Sequence, residues 1–205
     1  MQILDDNIIL FNRAFDHEAV NFFFERMTHF EEKNVDKVTV IINSHGGHVS
    51  SLKSILDYMY NSPIHIVTVA SGMVASCGIC LVMAGDTRLA FPDATFMSHE
   101  FSTLSMGKLH ELKADRKAQD DMNKFFLKHY ATHTGLSEPD IKAHLLNQSD
   151  VWMTSKEAVK MGIIDHIIEP RVKPIGKKAK QKVIDDHNKR MHAEAVKLIK
   201  ERGDD

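Results

Sequence analysis

Ser76, His99 and Asp150 are the residues of this chain whose types and placement could carry acyl-transfer chemistry. Ser76 follows a β-rich run and a glycine-containing turn and opens an apolar helix, which exposes it at a strand's C-terminal end. Backbone N–H groups and the dipole of a helix N-terminus there can stabilise a developing oxyanion. Gly46-Gly47, at the end of another predicted strand, offers a second close approach of backbone to a ligand. A serine hydroxyl is a poor nucleophile until a base takes its proton. His99, at a further strand end, is the best-placed histidine, and Asp150, just before Val151-Trp152-Met153, could hold its tautomer. Each residue also has a plain structural reading: Ser76 as a helix cap, His99 as a core histidine, Asp150 as a turn residue. The G-x-S-x-G elbow of α/β-hydrolases is absent.

Two other constellations invite chemistry. Cys77 and Cys80 form a C-x-x-C. It reads either as a redox pair or as two small buried helix residues, and the crowding of small residues around them favours the second. His129 and His133 stand four apart on a predicted helix, the spacing at which two imidazoles can face one metal ion. No H-E-x-x-H pattern and no third ligand nearby in sequence support a metal, so none is expected.

The elements that would position these residues alternate strand and helix, as in an α/β domain. Ile8–Phe11, Val38–Ile42 and Ile64–Ala70 read as strands. Asp16–Glu32 and Ser50–Tyr60 carry apolar residues at helical spacing. Ser71–Gly85 reads as a turn and then a fully apolar, buried helix. Short strands are expected within 86–99 and over Ile163–Ile168, a long charged helix over Met106–Thr132, and helices after Ser137 and over Ser155–Met161. Ser137 fits an N-cap, with Pro139 early in the first turn. Residues 1–169 form the expected domain. From Pro170 a basic linker leads to a polar helix or tail over about Lys178–Glu201, with Ile184, Met191 and Leu198 at seven-residue spacing.

Composition excludes rather than selects. The chain has 205 residues, with 26 basic against 28 acidic side chains and a net charge of −2. That balance gives no footprint for nucleic acid. No apolar run approaches the roughly 20 residues of a membrane span, and the N-terminus lacks a signal-peptide pattern. A cytoplasmic protein without cofactor is expected.

Five ordered blocks resemble the Clp peptidase proteolytic subunit. Ile42-Asn43-Ser44-His45-Gly46-Gly47 is similar to that family's I-N-S-P-G-G, and Gly72-Met73-Val74-Ala75-Ser76-Cys77-Gly78 to its nucleophile segment G-x-A-A-S-M-G. Phe91-Pro92 through Met97-Ser98-His99 resembles the L-P-x-x-x-x-M-I-H that delivers the base. His133-Thr134-Gly135 matches H-T-G. The run Asp150 to Asp165 resembles D-R-F-L-S-A-x-E-A-x-x-Y-G-L-V-D, which begins with the triad aspartate. The resemblance implies a crotonase-like α/β fold of repeated β-β-α units with a handle helix over about 106–132. It implies a catalytic triad of Ser76, His99 and Asp150, with the backbone amides of Gly47 and Cys77 as oxyanion hole. It also implies a serine endopeptidase in a heptameric ring, one or two stacked, that cleaves peptides and unfolded proteins delivered by an AAA+ unfoldase.

Departures from the pattern qualify those implications. Cys77 and His45 replace a Met and a Pro. Glu100–Ser105 lacks the family's Gln-Pro and most of its glycines, and Ser149 stands in place of an arginine that couples ring contact to the triad. The resemblance starts near Ile3, without the preceding axial-loop segment, which suggests a divergent member that works alone or with other Clp peptidase subunits. Two other readings remain: an inactive or regulatory ring subunit, and a crotonase-type acyl-CoA enzyme. The second would need Glu or Asp where Ser76 and His99 stand.

Overall fold

A computed structural model describes residues 7–101 and 108–170, with 181–182, 185–186 and 189 beyond them. The chain divides into two compact units, Met1–Glu169 and Pro170–Asp205. In the second, the described residues 181–182, 185–186 and 189 are helical, and Gln181 donates to Asp185 at 2.9 Å. The expected stripe of Ile184, Met191 and Leu198 lies outside the described residues, as does the segment 102–107.

The first unit is built on parallel strands. β1 (Ile8–Phe11), β2 (Lys37–Ser44), β3 (His65–Ala75), β4 (Thr87–Ala90) and β7 (His166–Ile167) lie side by side in that order, every neighbouring pair parallel. Val38, Thr39 and Val40 are consecutive and all buried, as expected of a parallel strand covered on both faces. β5 (Thr95–Ser98) joins β3 in parallel and β6 (Val151–Thr154) in antiparallel. No helix among the described residues is long and apolar enough to cross a membrane.

Helices close the layers. In α1 (His17–Glu32) the side chain of Asp16 accepts from the Ala19 N–H at 2.7 Å, and Ala19, Phe23, Met27 and Phe30 form the buried stripe. α2 (Val49–Asn61) packs beside it through Leu52, Ile55, Leu56 and Met59. α3 (Cys77–Met83) is buried throughout, as its unbroken apolar sequence requires. α4 (Leu109–Thr134) ends two residues beyond the expected handle helix, whose start at Met106 lies outside the described residues. Ser137 caps α5 (Glu138–His144), and Thr154 with Glu157 forms a reciprocal capping box on α6 (Ser155–Lys160).

Three elements differ from the sequence expectation. Ser71–Ala75 is strand, not turn, because β3 changes partner along its length. Val67–Ala70 pairs with β4, and Met73–Ala75 pairs with β5. Between these halves the register with β2 shifts, and the Asn43 side chain takes over from the ladder. It accepts from the Met73 N–H at 3.1 Å and donates to Asn12 at 2.9 Å. The closing strand shrinks to His166–Ile167, and Val151–Thr154, read only as an apolar run, is a strand.

Candidate active site

The change of partner in β3 delivers Ser76. The Ser76 N–H donates to the Met97 carbonyl at 2.8 Å, so the sheet holds the residue up to its last atom before the helix. Its backbone then turns with φ 53 and ψ −120, a conformation a non-glycine residue adopts only when its surroundings enforce it. The strain thrusts the side chain out between strand and helix. Such strain is expected where function outweighs local comfort.

His99 follows β5 directly, and its Nε2 lies 3.0 Å from Ser76 Oγ. The other ring nitrogen, Nδ1, lies 2.5 Å from the Glu100 carbonyl oxygen. A carbonyl can only accept, so Nδ1 carries the proton and Nε2 offers its lone pair to the serine. The Glu100 N–H donates to the Asn147 carbonyl at 2.9 Å, which ties this carbonyl to the loop before β6. A base 3.0 Å from a hydroxyl, in the tautomer that can take its proton, has the geometry a nucleophile–base pair needs.

Asp150 sits across from that pair. Ser98 is the register partner of Val151 in the antiparallel β5–β6 ladder. One step further along the same register places Asp150 opposite His99, where cross-strand side chains share a face. In this structure Asp150 is exposed, and its carboxylate has no hydrogen-bond partner among the described residues. The structure thus brings Ser76 and His99 together and leaves Asp150 at the adjoining corner. The carbonyl of Glu100, which sequence reasoning missed, occupies the orienting position. Backbone groups leave no residue-type signal to find them by.

Gly46 and Gly47 form the opposite wall. Gly47 has φ +147, and a Cβ there would stand 2.5 Å from the Phe15 carbonyl oxygen. A Cβ on Gly46 would stand 2.8 Å from Ser76 Cβ. Only bare backbone fits this close to the serine. Phe15 bridges this segment, donating to the Gly46 carbonyl at 2.9 Å and accepting from His48 at 2.8 Å. No backbone carbonyl among the described residues accepts from the Gly47 N–H or from the N–H of Cys77 at the start of α3, and both backbones act on the Cys77 thiol beside the serine. Two N–H groups flanking a serine and not tied to a backbone carbonyl are what an oxyanion would require.

A cavity of about 180 Å³ opens on these groups. One side is Gly47, Ser76, Cys77 and His99; the other is apolar, with Cys80, Phe101, Phe126 and Leu146. Phe101 and Phe126 stack with ring centroids 6.2 Å apart. Tyr130, fully buried at the same cavity, bonds through its hydroxyl to Ser98 Oγ at 2.7 Å and so fixes α4 to the strand carrying the base.

Cys77 and Cys80 are free and buried. Burial pushes the Cys77 thiol up to about 11 and that of Cys80 well above its ordinary value. Thiols that stay protonated are poor nucleophiles, consistent with the packing role read from the sequence.

The family model described as Clp protease matches residues 1–171. The chain belongs to the Clp protease family. The ATP-dependent Clp protease proteolytic subunit of Bdellovibrio bacteriovorus is 29% identical over 177 residues, spanning 83% of this chain and 82% of that protein. Membership identifies the mixed α/β fold and supports a serine peptidase role for this Clp family chain.

Proposed function

We propose that this chain is a serine endopeptidase in which Ser76 is the nucleophile, His99 the general base and Asp150 the residue that orients and stabilises the imidazolium. The observation that carries the reading is the 3.0 Å approach of His99 Nε2 to Ser76 Oγ on a backbone strained to φ 53. Ser76 Oγ attacks the scissile carbonyl as its proton passes to His99 Nε2. The carbonyl oxygen, now negative, accepts from the Gly47 and Cys77 N–H groups. His99 then gives the proton to the leaving amine, and the acyl group stays on Ser76. Water, deprotonated by the same nitrogen, releases the acyl group and returns the proton to the serine.

The Glu100 carbonyl holds the correct tautomer but carries no full charge. A carboxylate is the better partner for the imidazolium that forms, so the reaction calls for Asp150 to take Nδ1 from that carbonyl. Cross-strand register supports Asp150 in this role.

Clp proteolytic subunits generally form oligomeric rings with an ATPase partner. For this chain we propose a heptameric ring, single or stacked in two, enclosing the sites in a chamber that receives peptides and unfolded proteins. An AAA+ unfoldase or other Clp peptidase subunits would complete the assembly, in the cytoplasm. A second reading, an inactive or regulatory ring subunit, is favoured by the one feature that departs from a ready triad, the exposed and unbonded Asp150. An acyl-CoA enzyme is disfavoured because the reacting corner holds a serine and a histidine rather than carboxylates.

A fluorophosphonate probe separates these readings. It should label Ser76 in the wild-type chain and leave Ser76→Ala unlabelled, with peptide hydrolysis lost in parallel. A folded wild-type assembly that neither reacts with the probe nor cleaves peptides would overturn the peptidase reading.

A further inference from the structure

The two N–H groups offered to an oxyanion, those of Gly47 and Cys77, come from segments 30 residues apart. The β2–β3 ladder ends at the pair Ser44–Val74. Beyond it, no backbone hydrogen bond among the described residues joins residues 46–48 to residues 76–78. One side chain crosses that gap. Cys77 Sγ donates to the Gly47 carbonyl oxygen at 3.3 Å, and no backbone N–H among the described residues reaches that carbonyl.

We propose, on the reading that Ser76 is the nucleophile, that Cys77 is a positioning residue for the reaction. Its thiol fixes the Gly47 peptide against the first turn of α3 and so sets the span between the two oxyanion N–H groups. Cys77 then contributes twice, with its own N–H to the oxyanion and with its side chain to the partner amide.

Gly47, at φ +147, has no side chain to pin its peptide, so its direction is set from outside. Phe15 holds the stretch on one side, through Gly46 and His48. Cys77 holds it on the other. A thiol is a weak donor, but at 1% exposure no water competes for this one. Burial lifts it to about 11, so at neutral pH it keeps the proton that it donates. The backbones of Gly47 and Cys77 and the Ser76 side chain all act on the sulfur, which therefore sits amid the reacting groups rather than behind them. It also lines the cavity that opens on Ser76. An oxyanion donor works by being aimed before the charge appears. A looser Gly47 peptide therefore harms the transition state more than the ground-state complex, and kcat more than KM.

The test is peptide hydrolysis by the full chain, beside the infrared S–H stretch of its two thiols. Cys77→Ala should lower kcat roughly tenfold, short of the loss of about 10²–10³-fold for a whole donor, with KM within about twofold. Cys77→Ser keeps a donor on the same carbon and should return to within about threefold of wild type. A packing role alone would not rank the hydroxyl above the methyl. The infrared spectrum needs no substrate. The Cys77 band, assigned by its loss in Cys77→Ser or its survival in Cys80→Ala, should lie below the frequency of an unbonded thiol. Wild-type kcat in Cys77→Ala, a Cys77→Ser chain no faster than Cys77→Ala, or a Cys77 band at the unbonded frequency would each overturn the tie. A wild-type chain that the fluorophosphonate probe fails to label would instead overturn the peptidase reading, and the infrared band separates the two failures.

Discussion

The two sides of His99 are built differently. Toward Ser76 every position is forced: a strained serine, two glycines with no room for a Cβ, and N–H groups on either side that no backbone carbonyl accepts from among the described residues. Toward Asp150 the ladder ends, the carboxylate faces solvent, and a backbone carbonyl fills in at Nδ1. On the proposed mechanism, the groups for covalent chemistry and oxyanion binding therefore all come from one folded chain. On the proposed mechanism, charge support for the imidazolium requires Asp150, just before β6, to reach Nδ1. The difference assigns the two sides unequal weights, and four experiments probe them.

The largest effect belongs to the forced side. Ser76→Ala removes the nucleophile, and peptide hydrolysis should fall by about 10⁴–10⁶-fold in kcat with the circular dichroism spectrum unchanged. Retention of a sizeable fraction of activity would break the comparison at its stronger half. Gly47→Ala comes next. Its Cβ would meet the Phe15 carbonyl at 2.5 Å, so the segment must shift and the oxyanion donor with it. A loss of about 10²–10³-fold in kcat is expected, together with a lower melting temperature. Wild-type kcat in a folded Gly47→Ala chain would remove this amide from the mechanism.

Asp150→Asn measures the open side. Because the Glu100 carbonyl already holds the working tautomer, the loss should be roughly a hundredfold smaller than that of Ser76→Ala. A loss as large as the serine's would mean that the carboxylate is indispensable and the carbonyl merely a resting contact. No loss at all would take Asp150 out of the site.

Legibility in the sequence followed the same division. Ser76, His99 and Gly46-Gly47 each carry a weak signal alone and stood out through the ordered blocks that resemble the Clp peptidase proteolytic subunit, whereas α1 and α2 were legible because apolar spacing reports the buried face. The partner exchange of β3 was not readable. It depends on an asparagine side chain bonding 30 residues away, and residues 71–75 look like a turn to any local rule. Nor was the hydrogen-bond partner shared by His129 and His133, since Tyr60 lies on another helix and only packing brings it there.

The smallest effect concerns a region that should leave the chemistry untouched. Arg88 on β4 donates to Asp165 through its side chain and backbone, and to the carbonyls of His133 and Gly162 at 2.9 Å each. It thus gathers the end of α4 and the turn before β7 onto the sheet. Although partial burial alone would raise it, the Arg88 hydrogen bonds and charge hold the Asp165 carboxyl below its usual range. A carboxyl with a depressed folded-state pKa contributes stability that is present above its unfolded value and lost as pH falls through the folded one. Wild-type stability to urea should therefore decline across the acidic range more steeply than that of Asp165→Asn, which has no carboxyl to protonate. At neutral pH the variant should be less stable by about 2 kcal/mol. Probe labelling of Ser76 at neutral pH should match the wild type, because this clip touches neither side of His99. Parallel pH profiles for the two proteins would show that the ion pair contributes nothing in the folded state. A large drop in labelling would show that the nucleophile's rigidity is drawn from the whole sheet rather than from its own corner.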